Sequence, residues 1–418
     1  MPKDSKPKQV QQILRDYLHN LDSIRESMEP LMTMAWIMHR SADKEHLETL
    51  EEHGELIEDD GKSKKFEIPV ENYRQVQKKR TRSSRASRAL DFLPRLILIS
   101  FVSEYDAFLG KLISHFHERI PSLLKTSEKK LTVSEILEFD DFEDVKDRVL
   151  EAEVESLLRK NHAEQFSWLE GRFSIELRKG LDRWPIFIEL IERRNLFVHT
   201  DGVISSQYIN VCKANGVDLS DVKAGGQLKA SKPYLVDAYK CLYEFGVKLT
   251  HVLWRKCWRD EFKAADDNLQ EITYDLLVEE KSELATRLLK FAVDTVPRHS
   301  SDVARRIFII NLAQAYLFGG KDDLCAERLQ KEDWSACGLD FQICVAVLAR
   351  NFESAANLMH EIGDSGPIRK QDYLEWPVFR EFRQEKGFYS AYESIFGEAP
   401  VFEEEHSTDE REKPDNES

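Results

Sequence analysis

The stretch PRLILISFVSEYDAFLGKLISHF, residues 94–116, decides the fold class, because its apolar residues occupy most of the circumference of a helix. Leu96, Phe101 and Leu112 are among these apolar positions. A helix that is apolar almost all round is buried among other elements, so the segment predicts a central core helix. Since proline is tolerated only in the first turn, we expect this helix to begin near Pro94.

The composition predicts that helices also dominate the rest of the chain. Gly (17) and Pro (13) are scarce for 418 residues, which argues against a turn-rich β protein and predicts an all-α fold. The formal net charge of −16 excludes a bulk nucleic-acid binder. Any contact with nucleic acid must therefore come from a local basic patch.

The cysteine pattern and the lack of long apolar segments predict a cytoplasmic protein. Six Cys residues occur without a C-x-x-C pair, and a chain of this size needs no disulfide framework, so we expect reduced thiols. No apolar run reaches about 18 residues, and the first residues lack the apolar centre of a secretory signal. We therefore expect no contact with a membrane.

Residues 1–72 are predicted to form an N-terminal helical region, with a heptad-like helix over residues 6–40. Its apolar stripe steps by four and three residues, as in the seam of a coiled coil or a long bundle helix. Pro30 interrupts the stripe and is expected to kink the helix. Either the stripe packs within its own chain or it joins two subunits. The members are Val10, Leu14, Tyr17, Leu21, Ile24, Met28, Leu31, Ala35 and Met38.

Residues 73–89 are predicted to be a basic linker or helix start in an otherwise acidic chain. Between Arg74 and Arg88 there are seven basic residues and no acidic residue. Such a run is either a solvated helix face or a phosphate-binding patch, and its contrast with the overall charge favours phosphate binding. The candidate phosphate-binding residues are Lys78, Lys79, Arg80 and Arg82.

Residues 267–397 are predicted to form short amphipathic helices in pairs. We expect helices at about 302–318, 321–330, 339–349 and 353–361, and a closing helix over about 376–389. Ala315 and Ala346 lie 31 positions apart, close to the 34-residue period of the tetratricopeptide repeat, which this segment loosely resembles. That resemblance implies a surface for a protein partner. Residues 398–418 are predicted to be a disordered acidic tail.

Several common signatures of catalysis and cofactor binding are missing from the sequence. There is no glycine-rich phosphate loop, no H-E-x-x-H zinc motif and no G-x-S-x-G nucleophile turn. His115 and His117 form the closest histidine pair, but they lie in the predicted core helix without partners at metal-ligand spacing. We therefore expect neither a metal nor a cofactor.

The segment IELIERRNLFVHTDG, residues 188–202, is the most informative about function. Apolar residues bury one face of this predicted helix, and Arg194, Asn195 and His199 are polar groups carried at its end. Arg194 and His199 lie about 140° apart on a straight helix, so they reach one cleft only because Arg is long and His199 is in the last turn. Arg40 to His46 has similar spacing, but we reject it because its intervening residues are polar and it lies at a predicted helix exit.

The arrangement Arg194-Asn195 followed by three apolar residues and His199 resembles the R-x(4–6)-H motif of the HEPN superfamily. The similarity covers residues 90–262, in which residues 99–109 are similar to the first core helix and residues 231–258 to the closing helix. The resemblance implies a helical bundle that forms a homodimer and cleaves RNA without a metal. It also implies the role of a toxin or anti-phage defence effector.

The implied mechanism suits the residue types of the motif. A 2′-hydroxyl of the RNA attacks the adjacent phosphate while His199 moves a proton near neutral pH. Arg194 stabilises the charge that develops on the phosphate, and Asn195 orients the reacting groups. The basic residues Lys78, Lys79, Arg80 and Arg82 would then bind RNA.

Two other functions remain open from the sequence. The first is a non-catalytic HEPN-like scaffold, in which Arg194 pairs with an acid such as Glu189 or Glu192 and His199 complements the helix C-terminus. The second is the toxin half of a pair with a nucleotidyltransferase antitoxin, with Tyr208 as the site of modification. A modified tyrosine must be exposed, and the sequence pattern does not decide whether Tyr208 is.

Overall fold

The computed structural model describes residues 6–61, 63–120, 131–136, 139, 141–179 and 181–401. Helices make up most of this part of the chain, and its one sheet is a two-stranded antiparallel hairpin, so the all-α prediction is confirmed. The chain divides into two compact units between Ala265 and Asp266. Most of the predicted acidic tail, residues 402–418, lies outside the described residues.

The state of the cysteines and the apolar character of the helices bear on the expected cellular environment. All six cysteines are free thiols, and Cys212, Cys241, Cys325 and Cys344 are buried. Among the described helices, none has the length and apolar character needed to span a bilayer.

The first unit is built on two long antiparallel helices joined by a short hairpin. Hydrogen bonds from Asn20 to Glu104 and from Ser83 to Asp43 connect the two helices near opposite ends of their contact. The elements are α1 (Lys6–His53), β1 (Glu55–Asp59), β2 (Lys64–Glu67) and α2 (Val70–Arg119).

The N-terminal region is part of this unit, so the predicted separation of residues 1–72 from the bundle is wrong. Tyr17 is buried, stacks on Phe108 with 4.2 Å between ring centroids, and donates a hydrogen bond to the carbonyl of Leu242 at 2.9 Å. Helix α1 also continues past residue 40 to His53. Packing along α2 extends the helix beyond the part with an apolar stripe.

The basic run is not a linker, because residues 73–89 lie inside α2. The helix begins at Val70 and continues through Pro94, which is buried in its interior. The expected start near Pro94 is therefore wrong. A proline costs a helix one backbone hydrogen bond, and here the packing of a 50-residue helix offsets that loss.

The apolar stripe of α1 changes environment along its length. Val10, Leu14, Tyr17 and Leu21 are buried, and Met28 is the last buried member. Farther along, Leu31 is 46% exposed and Met38 is 62% exposed. The intrachain interpretation is therefore confirmed for the first half, and a subunit seam stays a prediction for the second half.

The remaining helices of the first unit pack around α2 and α8. The rings of Phe187 and Phe245 stack at 4.4 Å and join α6 to α8. Ser231 caps α8 by accepting a hydrogen bond from the backbone of Tyr234, as its sequence position predicts. The helices are α3 (Val133–Ile136), α4 (Phe142–Leu158), α5 (His162–Phe173), α6 (Trp184–His199), α7 (Ser206–Ala214) and α8 (Lys232–Cys257).

The second unit contains the paired short helices that the sequence predicts. The expected closing helix is wrong, because Trp376 precedes Pro377, takes an extended conformation and separates α15 from two short 3₁₀ turns and α16. The helices are α9 (Phe262–Val278), which begins just before the unit boundary, α10 (Ser282–Lys290), α11 (Asp302–Phe318), α12 (Asp322–Gln330), α13 (Leu339–Leu348), α14 (Phe352–Ile362), α15 (Lys370–Glu375) and α16 (Lys386–Phe396).

Candidate active site

The end of α6 is fixed by a glycine turn, and this places His199 as the last helical residue. Asp201 and Gly202 have φ values of 55° and 85°, and the amide of Gly202 donates to the carbonyl of Leu196 at 3.0 Å. A Cβ at Gly202 would lie 3.0 Å from the carbonyl oxygen of Leu228. The turn therefore requires glycine both for its backbone conformation and for its close packing.

Arg95 of α2 anchors this turn. Its guanidinium forms an ion pair with the Asp201 carboxylate, donates to the Asp201 carbonyl at 3.1 Å and lies over the ring of Phe197. The side chain of Arg95 is mostly buried. The position of His199 at the end of α6 is thus fixed relative to the core helix.

Arg194 binds a carboxylate of the core helix. Its Nη2 donates to Oδ2 of Asp106 at 2.7 Å, and its side chain is 20% exposed. The other carboxylate oxygen of Asp106 lies 2.9 Å from Nε2 of His162, the first residue of α5. Three helices, α2, α5 and α6, therefore meet at one carboxylate.

Glu192 and Asn195 complete this group of polar side chains. The Asn195 amide donates to Glu192 at 3.4 Å. Burial raises the pKa of Glu192, and the nearby His162 and Arg194 oppose that rise. We call these five residues the Asp106 cluster: Asp106, His162, Glu192, Arg194 and Asn195.

His199 stands apart from the Asp106 cluster. It is exposed, and among the described residues it makes no hydrogen bond or ion pair. Because α6 is continuous from Trp184 to His199, the angle of about 140° expected between Arg194 and His199 is kept. Within one chain, Arg194 and Asn195 are engaged with carboxylates while His199 faces solvent.

A neighbouring network engages the other arginine of α6, Arg193. Glu189 accepts hydrogen bonds from Tyr208 and Tyr234 at 2.7 Å each and from Nε of Arg193 at 2.8 Å. The acid that pairs with Arg194 is Asp106 and not Glu189 or Glu192, which were the partners expected for a purely structural Arg194. Arg194 and Arg193 thus each pair with an acid, so a structural role for Arg194 stays open beside a catalytic one.

Tyr208 does not meet the exposure condition for modification. Its side chain is 1% exposed, and its hydroxyl is bound to Glu189. Burial and the adjacent Glu189 raise the pKa of this phenol well above its usual range. Transfer of a group to Tyr208 would require opening of the contact between α6 and α7.

The four candidate phosphate-binding residues divide into two pairs. Lys79 and Arg82 both contact Glu45 of α1, at 2.8 and 2.7 Å. The hydrogen bond from Lys79, with the charge of Arg82, lowers the pKa of the Glu45 carboxyl. Lys78 and Arg80 are exposed and have no acidic partner within the described ranges.

His115 and His117 pack as core residues. Burial, with the adjacent Arg119, lowers the pKa of His115 to about 4. His117 has Nδ1 3.0 Å from the carbonyl of Ile113, and its ring stacks with Trp168. Both rings are at most 2% exposed, so they serve the packing of α2.

The second unit has a groove of about 470 Å³ between α9, α11 and α13. Its apolar lining includes Ile307 and Phe341, and its polar lining includes Asn311 and Gln314. Gln314 is 2% exposed, and its amide nitrogen has no hydrogen-bond partner in the described part of the chain. A buried amide donor without a partner is unfavourable, so an acceptor bound in the groove would stabilise it.

Comparisons of this chain with protein-family models, curated proteins and solved structures found no match. The candidate site therefore depends on the motif of α6 and on the contacts described above.

Sequence reasoning missed Asp106 and His162. Asp106 carries one usable signal, because it is a carboxylate within the apolar run of the core helix, where a charge needs a partner. His162 has no such signal, since only the packing of α5 brings it to Asp106.

Proposed function

We propose that the protein is a cytoplasmic, metal-independent endoribonuclease of the HEPN type, acting as a toxin or anti-phage defence effector. The observation that supports this most directly is the set Arg194, Asn195 and His199 at the end of α6, with Arg194 bound to Asp106 of the core helix. A helix end fixed by Arg95 and Gly202 gives this set a defined position.

Arg194 keeps donors for a phosphate while it binds Asp106. Its Nη2 contacts the carboxylate, and the side chain is 20% exposed. A guanidinium has five N–H donors, so an RNA phosphate can use those on the exposed side of the group. Asp106 thus serves to orient Arg194 in this proposal.

In the proposed reaction the 2′-hydroxyl of the RNA attacks the adjacent phosphorus. The bond from phosphorus to the 2′-oxygen forms, and the bond to the 5′-oxygen of the next nucleotide breaks. His199 takes or returns a proton, and Arg194 stabilises the negative charge on the phosphate oxygens. The products are a 2′,3′-cyclic phosphate and a 5′-hydroxyl, so DNA, which lacks the nucleophile, is not cut.

A homodimer is part of this proposal. Within one chain Arg194 and His199 point about 140° apart around α6. A second chain that docks at this helix end would bring its own Arg194 and His199 to a shared cleft. The exposed position of His199 leaves it available for such a cleft.

The test is incubation with total RNA in the presence of EDTA, followed by analysis of the RNA ends. We expect cleavage to 2′,3′-cyclic phosphate ends, and a loss of about 10²–10⁴-fold in His199→Ala and in Arg194→Ala. Asn195→Ala should have a milder effect, because an amide only orients. His46→Ala is the control and should remain active. Absence of cleavage by the wild-type protein, or full activity of His199→Ala, would refute the ribonuclease proposal.

The groove of the second unit supports a second candidate function, the binding of a protein partner. The unpaired amide nitrogen of Gln314 and the apolar wall at Ile307 suit a peptide backbone with an apolar side chain. Peptides selected from a random display library on the wild-type chain should lose binding to Ile307→Glu. If no peptide is enriched over that variant, the groove is not a peptide site.

A further inference from the structure

One side of α2 carries an inclined stripe of arginines within the basic run. Arg80, Ser84 and Arg88 follow one another at intervals of four residues, and Arg85 lies beside them on the same side of the helix. A shallow groove of about 300 Å³ runs along this face. Its lining residues are Gln77, Arg80, Thr81, Ser84, Arg85 and Arg88.

The three arginines differ from the paired cations of the same run. Arg80, Arg85 and Arg88 are exposed and have no acidic partner in the part of the chain that the structure describes. Lys79 and Arg82, by contrast, share Glu45. Three unpaired guanidiniums within about 12 Å of helix axis repel one another, and a bound polyanion would relieve that repulsion.

The chemistry of the stripe favours phosphates over other anions. All the residues that line the groove are polar, and the guanidiniums, the Ser84 hydroxyl and the Gln77 amide are hydrogen-bond donors. An acyl chain would find no apolar surface there, which argues against a lipid. Guanidinium forks match phosphate oxygens in geometry as well as in charge.

The stripe and Asp106, the centre of the Asp106 cluster, lie on one helix. Arg88 precedes Asp106 in α2 by 18 residues, which is about 27 Å of helix axis. A polymer with phosphates at regular intervals can contact both places at once. A mononucleotide cannot.

We propose that Arg80, Arg85 and Arg88 bind the backbone phosphates of single-stranded RNA and hold the strand that reaches the Asp106 cluster. This inference deepens the proposed function, on which it depends for the identity of the polymer. It assigns phosphate binding to the unpaired arginines, including Arg85 and Arg88, in place of Lys79 and Arg82.

The experiment measures binding of a fluorescently labelled 30-nucleotide single-stranded RNA by anisotropy at several salt concentrations. His199→Ala serves as the parent, so that the RNA stays intact. Replacing Arg80, Arg85 and Arg88 with Gln should lower the salt slope by about 2, since each phosphate contact contributes roughly 0.7 on single strands. By the same relation, affinity near 0.1 M salt should fall roughly 100-fold.

Two further variants make the comparison specific. Glu45→Gln combined with Lys79→Gln and Arg82→Gln should change the slope much less, because this trio carries only one net positive charge. A charge-matched control removes three exposed lysines elsewhere in the same unit and should bind like the parent. The control replaces Lys160, Lys213 and Lys223 with Gln.

The outcomes separate this inference from the proposed function. If the stripe variant binds RNA with the affinity and slope of the parent, the stripe is not a phosphate site, whether or not the wild-type protein cleaves RNA. If polyglutamate displaces the RNA at equal charge concentration, the stripe binds an acidic protein instead. If the stripe variant loses RNA binding while the wild type cleaves no RNA, phosphate binding by the stripe is supported and the ribonuclease proposal fails.

Discussion

At the scale of single residues, the carboxylate of Asp106 is the group on which the candidate site depends. It binds Arg194 on one oxygen and His162 on the other, so its loss leaves two polar side chains without a partner. We expect Asp106→Asn to reduce RNA cleavage by up to about 10²-fold, because Arg194 would no longer be oriented. Single-turnover cleavage rates measure this effect.

Asp91→Asn is the matched control for that variant. Asp91 lies on the same helix and forms an exposed ion pair with Lys229, so its replacement should leave cleavage unchanged. Faster cleavage by Asp106→Asn than by the wild type would show that Asp106 restrains Arg194 and would contradict the orienting role.

The buried ring of His115 should make the free energy of unfolding fall as the pH is lowered. Its folded pKa of about 4 lies below its ordinary value of 6.5, so only the unfolded chain takes up this proton as the pH falls through that range. The free energy of unfolding should therefore drop by about 2–3 kcal/mol between pH 6.5 and pH 4 on account of His115. Above pH 6.5 this contribution is constant.

Denaturant unfolding of the wild type and of His115→Phe at pH 7 and pH 4.5 isolates this contribution. The variant lacks the titrating ring and should lose less stability than the wild type on acidification. An equal loss in both proteins would show that other groups account for the acid sensitivity.

The sequence could predict Arg194, Asn195 and His199 because they belong to one helix and one local pattern. Asp106 lies 88 residues before Arg194, and His162 lies 56 residues after Asp106, so their meeting depends on the packing of three helices. Local periodicity carries no information about which distant carboxylate a given arginine reaches. The division of the basic run into paired and unpaired cations depends likewise on Glu45 of the neighbouring helix.

At the scale of helices, serine caps marked helix starts correctly, whereas Pro94 did not mark one. Ser231 and Ser301 each accept a backbone hydrogen bond at the start of α8 and α11, where the sequence predicts those helices to begin. Pro30 and Pro94 lie inside α1 and α2. Each of these helices packs along the other, and this tertiary contact outweighs the local cost of proline.

The contact between α1 and α8 depends on a missing side chain. Gly246 of α8 lies beneath the ring of Tyr17, and a Cβ there would come within 2.3 Å of that ring. Gly246→Ala should therefore push α1 away and lower the free energy of unfolding by about 1–3 kcal/mol. Urea denaturation followed by circular dichroism measures the change.

Gly171→Ala is the matched control, because Gly171 lies within α5 with no atom within 4 Å of the added Cβ. That substitution should stabilise the protein by up to about 1 kcal/mol through helix propensity alone. If the two variants shift stability in the same direction and by the same amount, the close packing of α1 on α8 is not the reason for glycine at 246.

At the scale of the whole molecule, the sequence predicts that the helices of the bundle are followed along the chain by short helices in pairs. It could not predict that α1 belongs to the bundle, because the buried half of the α1 stripe and a subunit seam have the same heptad spacing. Burial distinguishes a stripe packed within the chain from a subunit seam, and Met28 is the last buried member of the stripe. The exposed half, with Leu31 and Met38, is the part still available to a second chain.

We expect the exposed half of the α1 stripe to contribute to the interface of the homodimer. Leu31 and Met38 are seven positions apart, 46% and 62% exposed, and continue the buried stripe without a break in register. We expect light scattering to report a mass near twice 48.7 kDa for the wild type, and a monomer for the double variant Leu31→Glu, Met38→Glu. Two buried carboxylates facing each other across a seam are costly to desolvate, so this change disrupts an interface without touching the bundle core.

Leu324→Glu, at a 41% exposed position in α12 of the second unit, adds a similar charge outside the stripe sequence and should leave the dimer intact. Deleting residues 1–40 would not be informative, because Val10, Leu14 and Leu21 belong to the core of the first unit and their removal would unfold it. A wild-type monomer at micromolar concentration would contradict the homodimer. A dimer that survives in the double variant would show that the exposed stripe is not needed for the interface. The contact at the end of α6 would then hold the dimer alone, and cleavage should be unaffected by the loss of the stripe.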